Sequence, residues 1–265
     1  MEDQVVLYAF LLTLFAGLST GIGGLISLLA KHTNTNFLSF SLGLSAGMML
    51  YVSFMEMMPT SMNTLTTEFG EKYGTLYLLL AFFGGIAFIA LIDFLVPEST
   101  NPHEMHSIED MEVRNRGLKQ TGLLTTFTIA IHNFPEGMAT FMSTMTSVEV
   151  GVSIAIAIAI HNIPEGIAVA VPMYHATGNR KKAFWLSTLS GLAEPMGALL
   201  AYLFLMPYWS AELNAIILAI VSGIMVYISL DELLPSAERY GKHHLAIIGV
   251  VVGMLILAVS LFLLI

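Results

Sequence analysis

Apolar residues in this chain neither alternate nor keep to one helical face. They fill whole runs of about twenty residues, the length a helix needs to cross a bilayer. Eight such runs stand between polar stretches: Val5 to Ala30, Phe37 to Met58, Thr75 to Val96, Thr121 to Met145, Val150 to Met173, Ala183 to Met206, Ala211 to Leu234 and His244 to Ile265. Each predicts a transmembrane helix, so the expected fold class is an all-α membrane protein with eight transmembrane helices. Residues 1–265 are expected to form a single transmembrane domain, because only one polar stretch is long. That stretch, at about 97–120, carries His103, His106, Glu109, Asp110 and Glu112 and predicts a flexible loop.

Composition supports the same class. Hydrophobic residues make up 56% of the sequence and charged residues 11%, with a mean hydropathy of +0.78, which excludes an ordinary soluble domain. Lys31, Arg114, Arg116, Lys119, Arg180, Lys181, Lys182, Arg239 and Lys242 all fall on one side of an eight-span topology, and only Lys72 falls on the other. The excess of basic loops marks the cytoplasmic side, so a multi-pass cell-membrane protein with both termini extracytoplasmic is expected. The acidic start, Glu2-Asp3, lacks the basic region that opens a secretory signal. The net charge of -9 at pH 7 lies partly inside spans; the bilayer is the expected partner and nucleic acid is excluded. With no Cys, any metal here meets nitrogen and oxygen donors rather than thiolates.

The polar exceptions inside the runs carry the chemistry. Two copies of one phrase, His132-Asn133-Phe134-Pro135-Glu136-Gly137 and His161-Asn162-Ile163-Pro164-Glu165-Gly166, lie in the fourth and fifth runs. Positions four apart share a helical face, so each phrase points an imidazole and a carboxylate the same way, with an amide one step round. The proline removes a backbone donor and frees an upstream carbonyl, which hydrocarbon does not tolerate but a polar cavity does. Kinked helices around a site near the membrane midplane are therefore expected. Glu56, Glu136, Glu165, Glu194, Asp231 and Glu232 lie within spans that contain no Lys or Arg, and an unpaired carboxylate in a low-dielectric interior costs several kcal/mol. A bound cation fits that deficit best. Asp93, at a span end, reads instead as a helix–helix hydrogen-bond partner.

A longer repeat runs beside the short one. The segment Gly47 to Pro59 in the second run aligns without a gap with Gly223 to Pro235 in the seventh, and Gly, Met, Tyr, Ser, Glu and Pro coincide. The topology inverts one copy relative to the other, as it does the fourth and fifth runs. Inverted repeats with interrupted helices are a transporter pattern, because two equivalent packings of the halves give access from two sides.

These residues resemble the ZIP (Zrt/Irt-like) metal-ion transporters, in their bacterial zinc-uptake branch, over essentially the whole chain. The resemblance implies a 3+2+3 arrangement of the spans and a binuclear metal site across the fourth, fifth and sixth. It assigns His132, Glu136, His161 and Glu165 to a primary site and Asn133, Asn162 and Glu194, in Gly191-Leu192-Ala193-Glu194-Pro195, to a second. Glu56 matches a position at the entrance or primary site, and Asp231 with Glu232 matches a site nearer the cytoplasmic exit. Elevator-like movement and a homodimer are implied by the resemblance alone.

The donor set agrees with that expectation. Imidazoles and carboxylates without thiolate suit Zn2+, Fe2+, Mn2+ or Co2+, with Cd2+ as a further candidate, rather than Cu(I) or Mg2+. The expected function is divalent transition-metal uptake by alternating access, and no Walker motif suggests ATP-driven cycling. The alternatives are a membrane di-metal enzyme and an exporter or channel with the same ligands. A di-iron bundle uses Glu-x-x-His with the carboxylate first, the reverse of the order here.

Overall fold

The computed structural model describes residues 2–29, 35–95, 117–240 and 243–263. Among them are ten α-helices and no strand: α1 (Glu2–Leu29), α2 (Thr35–Val52), α3 (Met58–Leu95), α4 (Gly117–Thr146), α5 (Val148–Thr177), α6 (Arg180–Gly191), α7 (Ala193–Leu200), α8 (Ala211–Ile228), α9 (Leu234–Tyr240) and α10 (His243–Phe262). Wider π turns join some of these into longer rods. Ser53–Met57 links α2 to α3, Ala201–Leu205 extends α7, and Ser229–Leu233 links α8 to α9. Among the described residues, six helical stretches are long and apolar enough to cross a membrane. His103 and His106, in the expected flexible loop, lie outside the described residues.

Local chemistry sets the turns between rods. Ser147 caps α5 by accepting from the Val150 N–H, Asn179 caps α6 from Lys182, and Ser210 caps α8 from Leu213. Gly178 ends α5 with φ 62°, a left-handed conformation that side chains disfavour.

Two boundaries differ from the sequence reading. The polar stretch expected between Met58 and Thr75 is helical on both sides of Gly70, where φ 76° and ψ 163° break α3. Its hydroxyls satisfy themselves on their own helix, Thr64 donating to the Thr60 carbonyl, Thr66 to Met62 and Thr67 to Asn63. Leu65, fully buried, then packs with Leu78, Ala215 and Ala219, so one apolar anchor holds a polar segment in helical form. The run Ala183 to Met206 is likewise interrupted, between α6 and α7. Pro195 cannot donate to the Gly191 carbonyl, and the chain tightens so that the Leu192 N–H donates to Leu189 at 3.1 Å.

The packing repeats itself in exchanged form. Gly47 on α2 lies against the Val250 carbonyl of α10, and its aligned counterpart Gly223 on α8 lies against the Phe82 carbonyl of α3. Gly253 meets Leu44 and Gly85 meets Ile220 in the same exchange. The π turns obey it too, since Ser53–Met57 follows Gly47 by the same step as Ser229–Leu233 follows Gly223. In the central helices, Gly166 lies on the Thr20 carbonyl and Gly23 on Ile163, while Gly137 lies on Glu194 and Gly197 on Phe134. Every one of these contacts has backbone where a Cβ would stand, which is why small residues recur at the crossings. Phe83, Leu91, Phe94, Val251 and Leu255 are exposed, an apolar exterior that a bilayer solvates.

Candidate metal centre

The phrase helices α4 and α5 pack against each other, α4 packs on α7, and α1 lies against all three. Pro135 and Pro164 both sit inside continuous helices. Glu136 is one step from Gly137, and the missing Cβ of Gly137 lets α4 settle onto the backbone of Glu194 in the first turn of α7. Two separated parts of the sequence thereby place carboxylates side by side.

Asn133, Glu136, His161, Asn162, Glu165 and Glu194 are all essentially fully buried. His161 Nε2 lies 3.4 Å from Glu136 Oε2. Asn162 Nδ2 donates to Glu194 Oε1 and, at 2.9 Å, to the Ala16 carbonyl of α1. Asn133 Nδ2 donates to the Ser190 carbonyl of α6 at 3.4 Å. These two amide-to-carbonyl bonds are counterparts, because Ala16 precedes Gly17 as Ser190 precedes Gly191, and Gly17 and Gly191 lie against each other's carbonyls.

Three acceptor atoms in this interior have no hydrogen-bond partner: Glu136 Oε1, Asn162 Oδ1 and Glu194 Oε2. No Lys or Arg is buried among the described residues. Buried acceptors are normally satisfied, so oxygens of this kind are suited to an electron-poor partner. Their geometry is open. Among the described residues, no three His, Asp or Glu side chains close into a metal cage. Two side-chain pairs stand in this interior, Glu136 with His161 and Glu194 with Asn162.

The remaining expected residues stand elsewhere. The His132 side chain lies outside the described residues; its backbone is on α4, one turn before Glu136. Glu56 is half-buried in the π turn Ser53–Met57, and Asp231 and Glu232 occupy the counterpart turn Ser229–Leu233, with Asp231 exposed. Asp93 accepts a 3.5 Å hydrogen bond from the Tyr227 hydroxyl, the helix–helix role expected of it. Sequence reasoning did not find the Ala16 and Ser190 carbonyls, because a backbone acceptor leaves no residue-type signal. Only Gly17 and Gly191 hinted that the chain passes close there.

An all-helical, multi-pass membrane protein with acids, imidazole and amides gathered in its interior is a membrane carrier of cations by class. Comparison with known proteins makes this specific. The ZIP Zinc transporter family model matches residues 96–261. The chain is 56% identical to the zinc transporter ZupT of Streptococcus mutans over 261 residues, covering 98% of this chain and 99% of that one. It is 55% identical to ZupT of Oceanobacillus iheyensis, covering 98% of each, and 53% identical to ZupT of Chlorobium chlorochromatii, covering 99% of each. The chain belongs to the ZIP family. That family is one of transporters, which removes the membrane di-metal enzyme from consideration.

Proposed function

We propose that this chain takes up zinc, and with it Fe2+, Mn2+ and Co2+, into the cytoplasm by alternating access. The observation that carries this reading is the pair of buried, cation-free contacts, Glu136 with His161 and Glu194 with Asn162, with an unsatisfied oxygen on each carboxylate. His132, Glu136, His161 and Glu165 form the primary site. Asn133, Asn162 and Glu194 form the second, and the central glutamates bridge the two. Divalent ions neutralise carboxylates that the protein leaves without Lys or Arg, and the imidazoles shift preference from Mg2+ toward zinc.

Eight spans in a 3+2+3 order, in one transmembrane domain over residues 1–265, result when α2 and the part of α3 before Gly70 count as one span, the rest of α3 as the next, and α6–α7 and α8–α9 as one span each. The exchanged glycine contacts support this order, because they pair α2 with α8, α10 with the second half of α3, α4 with α5, and α1 with α6–α7. Both termini lie outside the cytoplasm in that topology. The ion enters past Glu56, occupies the central cluster and leaves past Asp231 and Glu232, which sit at matching points of the two inverted copies. A homodimer is the assembly the family likeness implies.

Purified protein is expected to bind one or two zinc ions per chain by calorimetry. His132→Ala combined with His161→Ala removes the tighter ion; a folded double variant with wild-type zinc affinity sinks the primary-site assignment. Uptake should also fall as external pH drops, because carboxylates and imidazoles must lose their protons to bind a cation. A flux that rises steadily from pH 7 to pH 5 in proteoliposomes contradicts this sign.

A further inference from the structure

The face of α4 that carries Glu136 does not end there. Thr140 and Ser143 follow at four and seven positions, on the same helical face and toward the Thr146 end. Both are fully buried, and neither hydroxyl has a hydrogen-bond partner. Two neighbouring hydroxyls on α4 differ. Thr144 donates to the Thr140 carbonyl at 2.7 Å and Thr146 to Met142 at 3.2 Å, the usual way a helical hydroxyl satisfies itself. Thr140 and Ser143 forgo that bond.

The opposite side of α4 is apolar. Phe134, Pro135 and Met138 line a cleft with Phe88, Ile217 and Ile220, so the polar stripe is turned away from that cleft. In the proposed topology the Thr146 end of α4 is at the outer face. Two oxygens thus stand between that face and Glu136, each buried without a bond where burial ordinarily demands one.

We infer that Thr140 and Ser143 form the oxygen-lined outer route by which the ion reaches Glu136. This rests on the central cluster being the transport site. Hydroxyl oxygens are neutral donors that replace part of the ion's hydration without holding it, as a transit path requires and a storage site does not. In this structure the route is closed; alternating access opens it to external water.

Because the chain has no Cys, single cysteines report access without background. Thr140→Cys and Ser143→Cys, each first shown to fold and to bind zinc with the wild-type Kd, are expected to react with a membrane-impermeant methanethiosulfonate added outside, and zinc should slow the reaction. Phe141→Cys, equally buried but turned toward Phe10 and Tyr202, should stay unreactive. In parallel, Thr140→Val with Ser143→Ala should lower initial zinc uptake about tenfold, the value of one lost hydrogen bond in the rate. The equilibrium zinc Kd should hold at its wild-type value, and Thr140→Ser should keep the wild-type rate. Labelling at neither position, labelling of Phe141→Cys at the same rate, or unchanged uptake in the double variant overturns the route. Glu136→Gln separates the two ideas: if it abolishes uptake while the hydroxyl variants do nothing, only the route is wrong, and if it is inactive in neither binding nor uptake, the central site itself is wrong.

Discussion

Glu136→Gln is expected to lower zinc uptake more than about 100-fold at neutral pH, beyond what is typical for losing a group that only supports a metal ligand. The substitution keeps the side chain's volume and its place beside Gly137, so the contact of α4 with α7 is preserved. What it removes is the negative charge and one acceptor. The new amide also presents N–H donors to a space where Glu136 Oε1 has no partner and Glu136 Oε2 faces His161 at 3.4 Å. A donor aimed at an incoming cation repels it, and under the proposed assignment the neighbouring carboxylate of Glu194 would also lose the ion it shares with Glu136. Glu165→Gln is expected to behave similarly, since Glu165 is equally enclosed on the paired helix. The measurement is initial zinc influx into proteoliposomes under an imposed zinc gradient, with circular dichroism to establish folding. Wild-type influx in both folded variants would mean that these glutamates serve as neutral hydrogen-bond donors between helices.

Much of this centre was legible in the sequence because its signals are of residue type. His and Glu inside runs that should be purely apolar stand out against the cost of burying them, and the duplicate phrase identified α4 and α5 before any packing was known. The repeat of Gly47 to Pro59 in Gly223 to Pro235 was legible for the same reason. The structure adds that Glu56 and Glu232 lie in π turns at the same register, which no residue pattern encodes. What escaped the sequence is pairing across helices. Glu194 accepts from Asn162, while the Asn133 amide donates to the Ser190 carbonyl of α6, an arrangement set by backbone geometry. The helical course through Thr60 to Phe69 escaped as well. There, polar composition suggested a loop, but hydroxyls bonded back to their own helix and one leucine in a buried cluster outweighed it.

The paired glycines supply a second large expected effect with its own control. Gly137→Ala and Gly166→Ala are the same insult at counterpart positions, each driving a methyl into backbone, on Glu194 in one case and on Thr20 in the other. Both should destabilise by about 1–3 kcal/mol, the usual range for overpacking a close contact. Thermal unfolding in detergent should therefore rank them together. Their effects on metal should part. Moving α7 away from α4 displaces a carboxylate that has one oxygen on Asn162 and the other unsatisfied, whereas the opposing turn of α1 carries only a hydroxyl. Gly137→Ala is thus expected to lose the weaker zinc ion in calorimetry and to cut uptake more than about tenfold, while Gly166→Ala keeps the stoichiometry of the wild type. Loss of the same ion in both variants, or in neither while stability falls equally, would place the second ion away from Glu194 and leave the α4–α7 contact a purely mechanical one.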